Sequence, residues 1–182
     1  MTKQTVKLHD LLFEVYVAQS EVDAAVKNIA ERINADMRNE PAPPVFLCVL
    51  NGAFMFAADL LKHIEFDCEV CFLKLSSYEG TASSGKIREL VGLNLELEGR
   101  TVILLEDIID SGVTLEYLVS SIAARNPERI KICTMLFKPD AYTKNLPLDY
   151  VGISIENEFV VGRGLDYNQL GRNYKDIYKL IR

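Results

Sequence analysis

The sequence predicts an α/β fold: a mostly parallel, twisted sheet flanked by helices. Three observations carry this. Short continuous apolar runs such as "VFLCVL" (Val45–Leu50) and "TVILLE" (Thr101–Glu106) recur along the chain and suit strands buried on both faces. Segments with helical periodicity stand between them, and such alternation implies right-handed crossovers. Polar residues follow the runs, at Asn51-Gly52, Ser76-Ser77-Tyr78, Glu106-Asp107, Lys138 and "ENEFVVGRGLDYN". Open α/β sheets bind ligands beyond the carboxyl ends of their strands.

The elements follow in order. Ser20, with Asp23 three residues on, predicts a helix start. Val22, Val26, Ile29, Ile33 and Met37 mark the apolar face of that helix, and "EPAPP" (Glu40–Pro44) stops it. After "VFLCVL", Asn51-Gly52 breaks the chain and "AFMFAADLLKHI" reads as a helix. "EVCFLKL" is the next strand, followed by the polar loop "SSYEGTASSGKIRE". "TVILLE" is then a strand, "TLEYLVSSIAARN" a helix, and "IKICTMLF" and "YVGISI" two further strands. From Gly162 to Arg182 the tail is polar and mixed, and its elements are not legible.

The 182 residues are expected to form one domain spanning 1–182. With 26 acidic against 20 basic residues, the net charge of −6 gives no general attraction to nucleic acid or anionic membrane. No apolar run approaches the roughly 20 residues of a membrane span, and the N-terminus has no signal-peptide core, so a cytoplasmic location is expected. Of the four cysteines, Cys68 and Cys71 are spaced like half a zinc site. They fall on a strand, however, where residues three apart face opposite ways, so reduced, mostly buried thiols are expected.

The stretch "ILLEDIIDSGVTLEYL" (Ile103–Leu118) is the most informative. Asp110, Ser111, Gly112 and Thr114 lie between a strand and a helix. Gly112 permits a tight turn, and free backbone N–H groups with the Ser111 and Thr114 hydroxyls make a cradle for a phosphate. Glu106 and Asp107 stand just before it. Two carboxylates about 4 Å apart repel by about 4 kcal/mol at an effective dielectric of about 20. Magnesium or sugar hydroxyls would relieve that repulsion. The spacing alone also fits a solvated acidic turn with a helix cap.

"VILLEDIIDSGVTL" resembles the phosphoribosyl pyrophosphate (PRPP) signature of type I phosphoribosyltransferases. "VLNGAFMFAADL", "SSYEGTASSG", "LFKPD" and "FVVGRGLDYNQLGR" are similar to the hypoxanthine–guanine branch, in order from about residue 45 to the C-terminus. The resemblance implies a small hood formed from terminal segments and a homodimer or homotetramer. It also implies purine salvage: hypoxanthine or guanine plus PRPP gives IMP or GMP plus pyrophosphate. Asp110 would be the general base at purine N7. Glu106 and Asp107 would meet ribose and Mg2+, with Asp166 near a second Mg2+. Ser111, Gly112, Val113 and Thr114 would hold the 5′-phosphate. Lys138 would donate to the purine 6-oxo group from the site edge, Phe159 would stack on the base, and the Val160 backbone would bond its edge. Asn51, Gly52 and Arg172 would meet pyrophosphate, and Ser76 and Tyr78 would belong to a closing loop. Many relatives carry lysine where Asn51 stands, which leaves more of that contact to the Gly52 N–H. A cis peptide at Leu50–Asn51 is a further family feature. Alternatives are a xanthine-preferring enzyme, an RNA-binding regulator on the same fold, which would need a basic face, and a nucleotide-binding module without catalysis.

Overall fold

The computed structural model describes residues 4–77, 87–91 and 95–182; at 76, 77 and 87–91 only the backbone is described. Tyr78 and the rest of the loop from 78 to 86 lie outside the described residues.

The chain runs β1 (Thr5–Leu8), β2 (Leu11–Val17), α1 (Gln19–Met37), β3 (Val45–Leu50), α2 (Phe54–Leu61), β4 (Glu69–Ser77), β5 (Ile87–Val91) and β6 (Thr101–Ile109). Then follow α3 (Val113–Ala123), β7 (Arg129–Phe137), β8 (Tyr150–Ser154), β9 (Val160–Val161) and β10 (Ile177–Leu180). The main sheet has the order β5-β4-β3-β6-β7-β8. All its pairs are parallel except the edge pair β4/β5. A second, antiparallel sheet, β1-β2-β10-β9, joins both ends of the chain and forms the hood. No helix among the described residues is long and apolar enough to cross a membrane.

The buried runs form these strands because both faces of the sheet are covered. Phe46, Cys48, Ile103, Leu105 and Cys133 pack against α1 and α2 on one side. Val45, Leu47, Val102, Leu104 and Ile132 pack against α3 on the other. Cys68, which precedes β4 rather than lying on it, packs on the first side and Cys71 on the second; both are half-buried rather than buried, and all four cysteines are free.

Helix α1 buries the expected face, Val22, Val26, Ile29, Ile33 and Met37. Its start differs from expectation. The N-cap is Ala18, whose N–H donates to the Glu21 carboxylate at 3.0 Å, and Gln19 N–H donates to Asp176 Oδ1 at 2.7 Å. Ser20 and Asp23 do not cap. A cap contributes about 1 kcal/mol, whereas each of these apolar side chains contributes about 1.5–3 kcal/mol on burial. The face therefore fixes the helix, and the residue that closes its end comes from the hood, far along the sequence.

Two further expectations change. The acids Glu106 and Asp107 do not follow the strand: β6 continues through them to Ile109, because β7 pairs with it as far as Ile109↔Phe137. The supposed loop from 76 to 89 is strand at both ends, with Ser76↔Arg88 and Ser77↔Ile87 paired.

Candidate active site

The carboxyl ends of β3, β6 and β7 converge, and the 162–172 segment folds over them. The contacts begin at Asn51-Gly52. The Leu50–Asn51 peptide is cis. A Cβ on Gly52 would stand 1.6 Å from Asp107 Oδ2, and one on Gly164 would stand 1.9 Å from the Gly52 carbonyl oxygen. Backbone therefore touches backbone at Gly164, where only glycine fits, and a side chain at Gly52 would have to displace the Asp107 carboxylate. Arg172 Nη1 donates to Gly164 O at 2.7 Å, and Arg172 Nη2 pairs with Asp166 Oδ1 at 2.7 Å. Gly52, Asp107, Asp166 and Arg172, read separately along the sequence, are thus brought together.

The acid pair interrupts the alternation of β6. Leu105 and Ile108 pack in the same core cluster, and Leu104 and Ile109 in the other, so the side-chain alternation slips by one residue across Glu106-Asp107. Glu106 is buried and lines the cradle side. Burial pushes its carboxyl well above the usual range, and the neighbouring Asp107 charge adds to this. Asp107 is raised to about 6, chiefly by burial, against the opposing effects of the Ile108 N–H (3.0 Å) and Arg172. The ligand-free protein thus accommodates the crowded acids by holding protons on them more tightly.

That shift has a consequence for stability. Between the ordinary aspartate value of 3.8 and about 6, folded protein binds more protons at Asp107 than unfolded chain does. Stability from this group is therefore full below 3.8 and falls as pH rises through 6. Asp107→Asn should make metal-free protein more stable than wild type above pH 6, by about 3 kcal/mol, with the difference vanishing near pH 4. Chemical denaturation at both pH values in chelator measures it; equal differences at both would contradict the assignment.

The turn expected to cradle a phosphate forms a hollow of about 100 Å3 lined by Glu106 and Ile108–Leu115. Gly112 caps α3 with φ +83°, and a Cβ there would stand 2.5 Å from the Tyr142 ring. Ser111, Val113 and Thr114 are exposed at the helix start. Behind them, Thr143 N–H and Oγ1 both donate to Ser111 O, at 3.2 and 3.1 Å. This strap, Tyr142 to Lys144, has no recognisable signal in the sequence, because it meets the cradle only through the fold.

Lys138 corrects an expectation. Its side chain does not lie at the site edge: it is 7% exposed, and Nζ pairs with Asp110 Oδ2 at 2.8 Å, while Asp110 itself is exposed. Ile155 N–H donates to Phe137 O at 2.8 Å, tying the segment that leads to Phe159 beside Lys138. Phe159 is 43% exposed, with Tyr167 edge-on at 5.8 Å and Phe13 at 6.0 Å. It is a partly exposed ring rather than core. Val160 is buried in β9, paired with Lys179 of β10. Ser76 continues β4; its side chain, like Tyr78, lies outside the description.

Arg163, which the sequence reading did not single out, is buried between Asp23 of α1 and Asp59 of α2, the latter at 3.3 Å. It fastens the 162–172 segment to both helices.

Among the described residues no three carboxylate, histidine or cysteine groups converge as a metal cage. Magnesium fits such a site nonetheless. It is commonly held by one or two carboxylates, substrate phosphates and water, and Asp107 and Asp166 both face the Gly52–Arg172 corner.

A phosphoribosyl transferase domain model matches residues 16–168. The chain is 36% identical over 169 residues to the hypoxanthine phosphoribosyltransferase of Buchnera aphidicola, covering 92% of this chain and 96% of that one. It is 39% identical over 166 residues to the hypoxanthine-guanine phosphoribosyltransferase of Bacillus subtilis, covering 91% of each. Among solved structures, a hypoxanthine-guanine phosphoribosyltransferase from Bacillus anthracis superposes with a TM-score of 0.85 at 36% identity, covering 92% of this chain and 98% of that one. The Trypanosoma cruzi hypoxanthine phosphoribosyl transferase gives 0.87 at 31% identity, covering 97% and 95%. With that fold, that cradle and those relatives, the chain belongs to the phosphoribosyltransferase family, in its hypoxanthine–guanine branch.

Proposed function

We propose that this chain transfers the phosphoribosyl group of PRPP to hypoxanthine or guanine, forming IMP or GMP and pyrophosphate, with Asp110 as general base. The observation that carries this is the Lys138–Asp110 pair at 2.8 Å, set in the site of a chain with these relatives. A 6-oxopurine presents an acceptor, O6, and a donor, N7–H, side by side on one edge. A lysine beside a carboxylate matches that edge, whereas the 6-amino group of adenine would present a donor to a donor. The purine exchanges one internal ion pair for two charge-assisted hydrogen bonds.

The remaining residues divide the substrate between them. Ser111, Gly112, Val113 and Thr114 hold the 5′-phosphate at the start of α3, and Phe159 stacks on the base beside the Val160 backbone. Gly52, with Asn51 before it, and Arg172 meet pyrophosphate. Glu106 and Asp107 meet the ribose hydroxyls. One Mg2+ would be held at the Glu106-Asp107 pair by the ribose and a second near Asp166, together neutralising the leaving pyrophosphate. As N9 attacks the sugar carbon and the bond to pyrophosphate breaks, the N7 proton passes to the Asp110 carboxylate. Ser76 and Tyr78 are proposed to close over the site and exclude water. The core sheet and hood act as one unit, 1–182, in a homodimer or homotetramer in the cytoplasm. In the Trypanosoma cruzi relative, the C-terminal region bears on oligomeric state and activity.

The test is a panel: protein, PRPP and Mg2+ with hypoxanthine, guanine, xanthine or adenine in turn. IMP and GMP should form and AMP should not. Xanthosine monophosphate as the main product would favour the xanthine alternative, and no nucleotide from any purine would leave a binding module.

A further inference from the structure

Resting on the proposed reaction, we infer that Lys144 is a further phosphate-binding residue, the cation that completes a cradle with no positive charge of its own. The residues lining the hollow include Glu106 and Asp110 but neither lysine nor arginine. Glu116 adds a third carboxylate in the first turn of α3. A phosphate dianion docked there has the Asp110 and Glu116 carboxylates nearby, and helix-end charge contributes only about 0.3–1 kcal/mol. Two lysines face these acids. Lys138 pairs with Asp110 on the purine side. Lys144 Nζ pairs with Glu116 Oε2 at 2.7 Å.

Lys144 is held where it can switch partners. Its neighbour Thr143 bonds twice to Ser111 O, and Tyr142 covers Gly112. Lys144 Cγ would stand only 2.9 Å from a Cβ on Gly112, so the side chain leaves the strap directly beside the cradle backbone. Glu116 is 54% exposed and Lys144 25%, so the ion pair between them is solvent-screened and weakly held. A phosphoryl group offers three acceptor oxygens and up to two charges, and competes well for the same ammonium. Lys144 thereby acts on the 5′-phosphate end of PRPP and of the nucleotide product, and on no other part of either.

Lys144→Met tests this, with Lys144→Arg as the rescue. The readouts are KM for PRPP, KM for hypoxanthine, kcat, and the Kd values of IMP and of inosine, which lacks the phosphate. Lys144→Met should raise the PRPP KM and the IMP Kd about tenfold, the loss of one charge-assisted bond. Hypoxanthine KM, kcat and inosine Kd should change less than about twofold, and Lys144→Arg should restore most of the loss. An IMP Kd within about twofold of wild type in Lys144→Met overturns the inference, as does an equal loss for inosine. Failure of the proposed reaction is separable: wild type would then make no nucleotide, while the IMP-versus-inosine comparison still reads Lys144. A wild type that binds IMP no better than inosine overturns both.

Discussion

Asp110→Asn is expected to lower kcat by about 10²–10⁴-fold while changing the KM for PRPP and hypoxanthine by far less. Asparagine keeps the shape and an oxygen that accepts from Lys138 Nζ, now at 2.8 Å from the carboxylate. The partly exposed position makes no demand on the core, but Lys138 is left buried without its counter-charge, so the variant should fold with a lowered Tm. What disappears is the proton acceptor proposed for N7 as the glycosidic bond forms. Lys138 would also lose its counter-charge while staying buried, which strengthens its hold on O6 and keeps purine binding intact. Steady-state kinetics with hypoxanthine and guanine decide the matter. Wild-type turnover in Asp110→Asn would remove this aspartate from the chemistry.

Gly164→Ala is the second large effect. At φ +104° a side chain is strained, which costs on the order of 1–3 kcal/mol. The added Cβ would also stand 1.9 Å from the Gly52 carbonyl oxygen, which is backbone and cannot rotate away. The two loops must separate, and Arg172, bonded to the Gly164 carbonyl at 2.7 Å, moves with them. Asp166 follows through its 2.7 Å ion pair with Arg172. A displacement of about 1 Å at such a site can cost about 10²-fold in rate. The variant should therefore lose at least about 3 kcal/mol of stability and about 10²-fold in kcat/KM for PRPP. Urea titration and PRPP kinetics measure the two losses. Stability and kinetics both at wild-type level would mean that the 162–172 segment does not seat on Asn51-Gly52.

The core strands were legible because burial on both faces leaves a run of apolar residues, as in Val45–Leu50 and Thr101–Leu105. The apolar face of α1 was legible through its period. The hood strands were not. β9 has two residues and β10 four, too short to show a pattern; β10 is held by β2 from the opposite end of the chain, and β9 only by β10. The start of α1 was misread for the same reason, since Asp176 closes it from 157 residues away. At the candidate site, the turn at 110–114 between β6 and α3 was legible because its residues are contiguous. The partner of Asp110 was not, although Lys138 itself was singled out.

The core strands β3, β4, β6, β7 and β8, the three helices, the turn at 110–114 and the family were determined by the sequence, because each depends on residues close together along the chain. The tertiary structure alone decided that Lys138 is buried against Asp110 and that Asp107 presses on Gly52. It also decided that Asp166 and Arg172 are delivered to that corner by a segment fastened through Arg163. Those are contacts between distant residues, and their energies depend on burial and on angstrom-scale distances, which no local pattern of residue types encodes.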